Sequence, residues 1–382
     1  MNRSILSISA ARLLCAAFAS LVSCSTILHA GPLSPPLGPV ASTSKPLSEI
    51  EPRIAVSADN TPGDAGSSFI ISQPGSYYLV GNITGVISKN GISIITSNVT
   101  LDLNGFTLTG VPNSFRGINV ANNINNIVIK NGNVTAWGTG GIATNGGGFS
   151  GAIEGIHADA NTGNGITVNN AMVVRNCSAT NNTGTGIDCY SASAIVDCTA
   201  AKNGVHGISV TAGATITNCS ATQNTSSGFN STFNVNSFFN CAANQNTGNG
   251  FSVGSYNSFI NCRAGENGLD GIRAASRNFI FANTCTNNGT AVAGGAGIHT
   301  TGTNNRIETN LCTGADRGID VDAAASIILR NTCASNTLNW DIAANNVVGP
   351  ILDRTTPASA AISGNSAPSS TGSSDPKANF TF

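Results

Sequence analysis

Past residue 110 the apolar positions of this chain come in short alternating bursts. In the stretch beginning at Gly207, GISVTAGATITNCSATQNTSS, Ile208 and Val210 flank Ser209, Ile216 lies between Thr215 and Thr217, and Cys219 precedes Ser220. Period-two alternation over three to five residues predicts half-buried strands, three to a unit, separated by turns. The unit recurs. A Gly-Ile or Gly-Phe pair opens at Gly117, Gly141, Gly165, Gly186, Gly207, Gly228, Gly250, Gly271, Gly297 and Gly318, at intervals of 21 to 26 residues. A cysteine column (Cys177, Cys198, Cys219, Cys241, Cys262, Cys285, Cys312, Cys333) and an asparagine column (Asn182, Asn203, Asn224, Asn246, Asn267, Asn288) move in step with it. Such columns predict a solenoid in which each unit makes one coil and bonds to the coils on either side, about 4.8 Å away. The expectation is an all-β rod of about 12 coils, about 21–24 residues each and roughly 60 Å long. Glycine is expected to supply unusual backbone angles at the corners. Asparagine tolerates left-handed turns, and its amide can bond to the Asn one rung on. A leucine-rich repeat has a similar period but needs a leucine framework, and past Leu108 only Leu269, Leu311, Leu329, Leu338 and Leu352 remain. The nine-residue repeats of a calcium-binding roll are absent.

Composition removes other classes. Only 9% of residues are charged, Gly supplies 44 and Met 2, and good helix formers are scarce. A net charge of −1 provides no basic field for a nucleic-acid backbone, while 40% hydrophobic content is enough for a core. Arg3 and Arg12 precede a short apolar run, Leu13 to Val22, too brief to span a bilayer. Residues 1–30 therefore read as a signal peptide cleaved after Ala30, with secretion or surface display as the expected location. Leu21-Val22-Ser23-Cys24 resembles a bacterial lipobox and offers the alternative of a lipid anchor on Cys24. Residues 31–52 read as a Pro-rich linker, 53–349 as the β-helix with its N-terminal capping coils, and 350–382 as a Pro/Ser/Gly-rich cap or tail. No later segment is long and apolar enough to cross a membrane.

A resemblance sharpens the architecture. Val99 to Gly110, VTLDLNGFTLTG, resembles the first full coil of many right-handed parallel β-helices of the pectate-lyase-like superfamily, which includes carbohydrate-binding and sugar-hydrolase members. The stretch from Glu51 to Gly85, with Pro74-Gly75-Ser76-Tyr77-Tyr78-Leu79, and the tail Asp375 to Phe380 look like those of secreted bacterial β-helix proteins of unknown function. The resemblance covers about residues 51–382 and implies the fold. It assigns no activity. The Asp-Asp pair, Gly-His-Gly and Arg-x-Lys of polygalacturonases and the Asp-Pro-His-Glu of alginate epimerases are absent. Only Asp270, Arg273, Asp320 and Asp322 could imitate the calcium-binding Asp residues and catalytic Arg or Lys of pectate lyases, without a matching motif.

One cysteine per rung places thiols side by side, a poor arrangement for a disulfide and a good one for an inward-facing reduced stack. No CxxC is present for zinc. Chemistry is left to the polar row. The residue after each Gly-Ile/Phe pair should face solvent, and this row reads Asn119, Ala143, Thr167, Asp188, Ser209, Asn230, Ser252, Arg273, His299 and Asp320. Its last three members are titratable, and stacking should gather Asp270, Arg273, His299, Arg317, Asp320 and Asp322 into one patch. Arg273, His299 and Asp320 are the candidates for catalysis, and all six for ligand binding. Carboxylates there could hold Ca²⁺, Arg could clamp a uronate and His299 could move a proton, or the charges could simply pair across rungs. Asp188 with Tyr190 is a weaker candidate, while His157 and His206 read as surface turn residues. Trp137 and Trp340 could stack on sugars or cap coil ends. Phe229, Phe233, Phe238, Phe239, Phe251, Phe259, Phe279 and Phe281 read as an aromatic core stack. The reading that follows is a non-catalytic β-helix that binds polysaccharide or builds cell-surface structure, with no nucleic-acid partner and no cofactor. The alternative is a divergent polysaccharide lyase or glycosidase-like enzyme, for which Ca²⁺ is the candidate cofactor.

Overall fold

The computed structural model describes residues 51–146, 150–231, 233–291, 293–353, 355 and 375–381. The expected signal peptide, Cys24 and the linker up to residue 50 lie outside the described residues. Every regular element among these residues is a β-strand. The chain winds as a right-handed parallel β-helix. Each full coil gives one strand to a front sheet of 13 strands, from Ser67–Ile71 to Leu338–Ile342, and two to a bent back sheet of 26. Thirteen front strands stand against the expected 12 or so coils. In the coil opened by Gly186 the three strands are Ile187–Cys189, Ala194–Val196 and Thr199–Ala201.

The residue after each column glycine points inward. Ile166, Ile187, Ile208, Phe229, Phe251, Ile272, Ile298 and Ile319 form one buried stack. Trp340 continues it by pairing in register with Ile319, so this indole closes the last coil. Trp137 is wholly buried, with Nε1 donating to the Leu108 carbonyl at 3.1 Å, and neither Trp is displayed for sugar stacking. The phenylalanines split. Phe229 stacks on Phe251 at 4.7 Å and Phe238 on Phe259 at 4.9 Å, with ring planes 6° and 2° apart. Phe233 is exposed, and Phe239, Phe279 and Phe281 are half-buried on outward strand positions, so only four of the eight build the core stack. Alternation explains this: Phe238 and Ile280 take the inward place of their strands, which turns Phe239, Phe279 and Phe281 out.

The asparagine column is a hydrogen-bonded ladder running from Asn161 to Asn288. Asn203 Nδ2 donates to Asn224 Oδ1 at 3.0 Å and to the Ala179 carbonyl at 3.1 Å, while Asn182 N–H and Nδ2 donate to Asn203 Oδ1. Two further ladders run parallel to it, through Asn236, Asn257, Asn278 and Asn305 and through Asn283, Asn310, Asn331 and Asn379.

The column glycines are not where left-handed backbone is used. Asn176, Asp197, Asn218, Asn240 and Asn261 carry φ of 51° to 57° at the corner between the two back strands, whereas Gly165, Gly186 and Gly207 have no positive φ. Those glycines are required by space. A Cβ on Gly186 would lie 2.6 Å from Asn203 Nδ2 and 2.7 Å from the Gly207 carbonyl oxygen.

The eight-cysteine column is in fact two. Register pairs Arg263 with Thr284 and Ala264 with Cys285, so Cys285 continues the Ala179–Ala200–Ala221–Ala243–Ala264 column, and Asn283 takes the place after Cys262. Cys177 to Cys262 form a column of five at the corner. Cys285, Cys312 and Cys333 form a column of three two residues further along the coil. All nine described cysteines are buried and unpaired. At the C-terminus Asn379–Thr381 adds to the back sheet beside Thr332–Ala334 and Ile351–Asp353, so these ends of the 350–382 segment fold onto the last coils.

Candidate functional site

The front strands place the outward row as the repeat requires. Thr167, Asp188, Ser209, Asn230, Ser252, Arg273, His299 and Asp320 pair one to the next in register, and Asp341 follows Asp320. All six predicted residues meet at the C-terminal end of this row. Asp341 is the member that sequence reasoning missed. It stands 21 residues after Asp320, but its coil lacks the Gly-Ile marker.

Asp270 anchors the cluster. Its backbone N–H donates to Asn249 Oδ1 at 3.0 Å, and its Oδ1 accepts Ala296 N–H at 2.8 Å. Oδ2 is left to face His299 Nδ1 at 3.0 Å. The other ring nitrogen, Nε2, lies 3.0 Å from Asp322 Oδ2 and 3.9 Å from Asp320 Oδ2. Arg273 Nε sits 3.9 Å from Asp270. Arg317 spans Asp341 at 2.8 Å and Asp320 at 3.4 Å, and its Nη1 donates to the Gly294 carbonyl. Gly294 belongs to the extra length of the 26-residue interval between Gly271 and Gly297, so the longest interval of the repeat builds part of the site wall. His299, Arg317, Asp320, Asp322 and Asp341 line an open cleft of about 380 Å³.

Electrostatics follow from that packing. The hydrogen bond that His299 donates to Asp270 raises the His299 pKa most, burial opposes, the bond to Asp322 adds to the rise, and the result is about 9. His299 is therefore a cation at neutral pH. Burial raises the Asp320 carboxyl, against the pull of His299 and Arg317. Four carboxylates (Asp270, Asp320, Asp322, Asp341) face three cations (Arg273, His299, Arg317), a sum of −1. Because the folded His299 pKa lies above its ordinary 6.5, its contribution to stability is complete below about pH 6.5 and disappears as pH rises through about 9. Urea midpoints of the protein should fall across that window, and His299→Gln should remove that fall. An identical pH profile for both proteins would refute the pairing.

His299 Nε2 and one oxygen each of Asp320 and Asp322 lie within 4.8 Å of one another, a spacing that a metal could bridge. The donors suit it poorly: His299 would have to give up a proton, and Arg317 already supplies the positive charge between Asp320 and Asp341. Calcium seeks six to eight oxygens.

The weaker candidates lie elsewhere on the row. Asp188 and Tyr190 are six rungs from Asp320 and line a second polar cleft of about 420 Å³ with Arg116, Asn145, Asn164 and Asn169. Burial raises the Asp188 carboxyl, and Asn164 Nδ2 donates to it at 3.3 Å. His157 is exposed on the strand Gly151–Asp159 and not at a turn; His206 occupies a turn, half-buried.

No family model matches the chain, and no curated protein matches it. Solved structures do. The A-module of the mannuronan C-5 epimerase AlgE4 from Azotobacter vinelandii aligns over 72% of this chain and 91% of its own, at 17% identity and a TM-score of 0.60. The A-module of AlgE6 from the same organism aligns over 73% and 90%, at 16% identity and a TM-score of 0.63. At such identities the likeness is one of fold alone: the chain shares the parallel β-helix architecture of these modules.

Proposed function

We propose that the protein is a secreted or surface β-helix that binds a polysaccharide on its front sheet without transforming it. One observation carries this reading: every charged group of the cluster already has a partner of opposite charge within it. A His299 protonated at both nitrogens and held between two carboxylates has no lone pair with which to take a proton. The same groups remain good ligands for hydroxyls, since their charge-assisted hydrogen bonds can be shared with a sugar. The Ser, Thr and Asn residues of the row extend the polar surface along the rod. The two epimerase modules act, by their names, on mannuronan, which makes uronate polymers the first class to test.

A second reading, a divergent lyase or other glycan-active enzyme, draws on one feature. The buried Asp320 carboxyl, raised in pKa, lies 3.9 Å from a cationic imidazole, the makings of an acid–base pair. Incubation with a panel of uronate polysaccharides, with and without Ca²⁺, separates the two. Binding with no new ultraviolet absorbance of unsaturated ends, and no change in uronate composition by NMR, is expected. Arg273→Ala should weaken that binding about tenfold, the loss of one charge-assisted contact. Product formation abolished by His299→Ala would overturn the favoured reading and establish the second.

A further inference from the structure

The second cleft of the front sheet owes its shape to one rung. Arg116, Gly140 and Asn164 pair in register along the row before the column glycines, and Asn119, Ala143, Thr167 and Asp188 along the row after the Gly-Ile pairs. The rung of Gly140–Thr144 therefore has only a hydrogen and a methyl where the rungs beside it carry larger polar side chains. The cleft of about 420 Å³ sinks onto that rung.

Its two ends carry opposite charges that do not meet. At one end Arg116 Nη1 donates to Asn119 Oδ1 at 2.9 Å and to Asn145 Oδ1 at 2.8 Å. These bonds steady the guanidinium through a single nitrogen and leave Nε and Nη2, the side-on edge of the fork, for a planar anion. At the other end Asn164 Nδ2 donates to Asp188 at 3.3 Å. Among the described residues Arg116 has no carboxylate partner and Asp188 no cationic one. Asn119, which holds the guanidinium, is three rungs from Asp188. That is about 14 Å, beyond the screening length of about 10 Å at 0.1 M ionic strength, so neither charge neutralises the other. The cluster at the far end of the row is the opposite case, with Asp270, Asp320, Asp322 and Asp341 already paired to Arg273, His299 and Arg317.

An unpaired guanidinium fork takes a carboxylate side-on. An unpaired carboxylate accepts hydroxyl and amide donors and repels a second carboxylate. Tyr190, on the Asp188 side of the cleft, is 45% exposed and offers its ring to the apolar face of a sugar. Resting on the reading of the front sheet as a glycan-binding face, we propose that this cleft selects a mixed polysaccharide: Arg116 takes the carboxylate of a uronate through Nε and Nη2, and Asp188 with Tyr190 takes a neutral sugar a few rings further along. A chain built only of uronates brings a carboxylate to Asp188 in every register and is disfavoured there.

The test is calorimetric titration of the full chain at neutral pH with three oligosaccharides of equal length. One alternates glucuronate with N-acetylglucosamine, one is all galacturonate, and one is the alternating chain with its carboxyls reduced to alcohols. The alternating chain should bind about tenfold more tightly than either of the others. Arg116→Gln should lower its affinity about tenfold, to that of the reduced chain. Asp188→Asn should raise the affinity for the all-galacturonate chain about tenfold and erase the preference. A gain of affinity cannot come from a damaged fold, so this variant stays decisive whatever Arg116→Gln does to stability. Equal binding of the first two chains by the unmodified protein, no gain in Asp188→Asn, or loss of binding in Arg273→Ala with Arg116→Gln unaffected would each overturn the assignment of the cleft and leave the glycan reading standing. Binding of none of the three would defeat the glycan reading, and this inference with it.

Discussion

Asn203→Ala is expected to destabilise the protein by on the order of 4 kcal/mol, a large effect for truncating one neutral side chain. The wild-type amide is fully buried and closes a ladder in both directions. Its removal does not harm every partner equally. Asn182 Nδ2 keeps the Ala158 carbonyl, and Asn224 Oδ1 keeps the backbone N–H at position 203. The Asn182 backbone N–H loses its acceptor, and the Ala179 carbonyl loses the side-chain amide while keeping its place in the ladder with Thr199–Ala201. The orphaned N–H costs about 1–3 kcal/mol, the weakened carbonyl adds less, and the vacated volume adds to that. Because a solenoid opens by neighbouring units, amide hydrogen exchange should accelerate most in the coils of Asn182, Asn203 and Asn224. Ser209→Ala, on the outward row, should stay within about 0.5 kcal/mol. A loss below about 1 kcal/mol for Asn203→Ala in chemical denaturation would show that the ladder is decorative.

The coil and its period were legible because they follow from pairing. A rung that must bond to its neighbours has to repeat, and the Gly-Ile/Phe, Asn and Cys columns recorded that repeat directly. The outward row was legible for the same reason, and the repeat alone places Asp270, Arg273, His299, Arg317, Asp320 and Asp322 together. What was not legible was interior contact. The offset from glycine to cysteine lengthens from 12 residues at Gly250–Cys262 to 14 at Gly271–Cys285, a trace of the column break. Nothing in the chain said that Asn283, Asn310 and Asn331 would take over the corner there. Nor could alternation alone say which of eight phenylalanines faced in, since adjacent aromatics such as Phe238 and Phe239 share one strand. The site's electrostatics depended on distances: which oxygen of Asp270 was already committed to Ala296 N–H determined which remained for His299.

The role of the glycine column reverses most clearly, and Gly186→Ala tests it. Where backbone angles permit alanine, replacing glycine commonly stabilises by about 0.4–1 kcal/mol by restricting the unfolded chain. Gly186 has no positive φ, so backbone angles give no objection. Space does. The added Cβ would meet the Gly207 carbonyl oxygen at 2.7 Å, Asn203 Nδ2 at 2.6 Å and Ala200 Cβ at 3.1 Å. The first is backbone of the next coil, and the second is held by hydrogen bonds to Ala179 and Asn224. Neither can swing away, so the front strand must shift and loosen the ladder with it. A cost of about 3 kcal/mol is expected, at the upper end for an overpacked methyl. Gly213→Ala provides the contrast: its φ is +69° but its nearest neighbour lies 3.8 Å away, so only the left-handed penalty of about 1–2 kcal/mol applies. Were Gly213→Ala the more damaging of the two, close approach would not be what the column protects. The double variant Gly186→Ala with Asn203→Ala decides how the columns are joined. If glycine is there to admit the ladder amide, deleting the amide makes room for the methyl. The paired loss should then fall short of the sum of the single losses by at least about 1 kcal/mol.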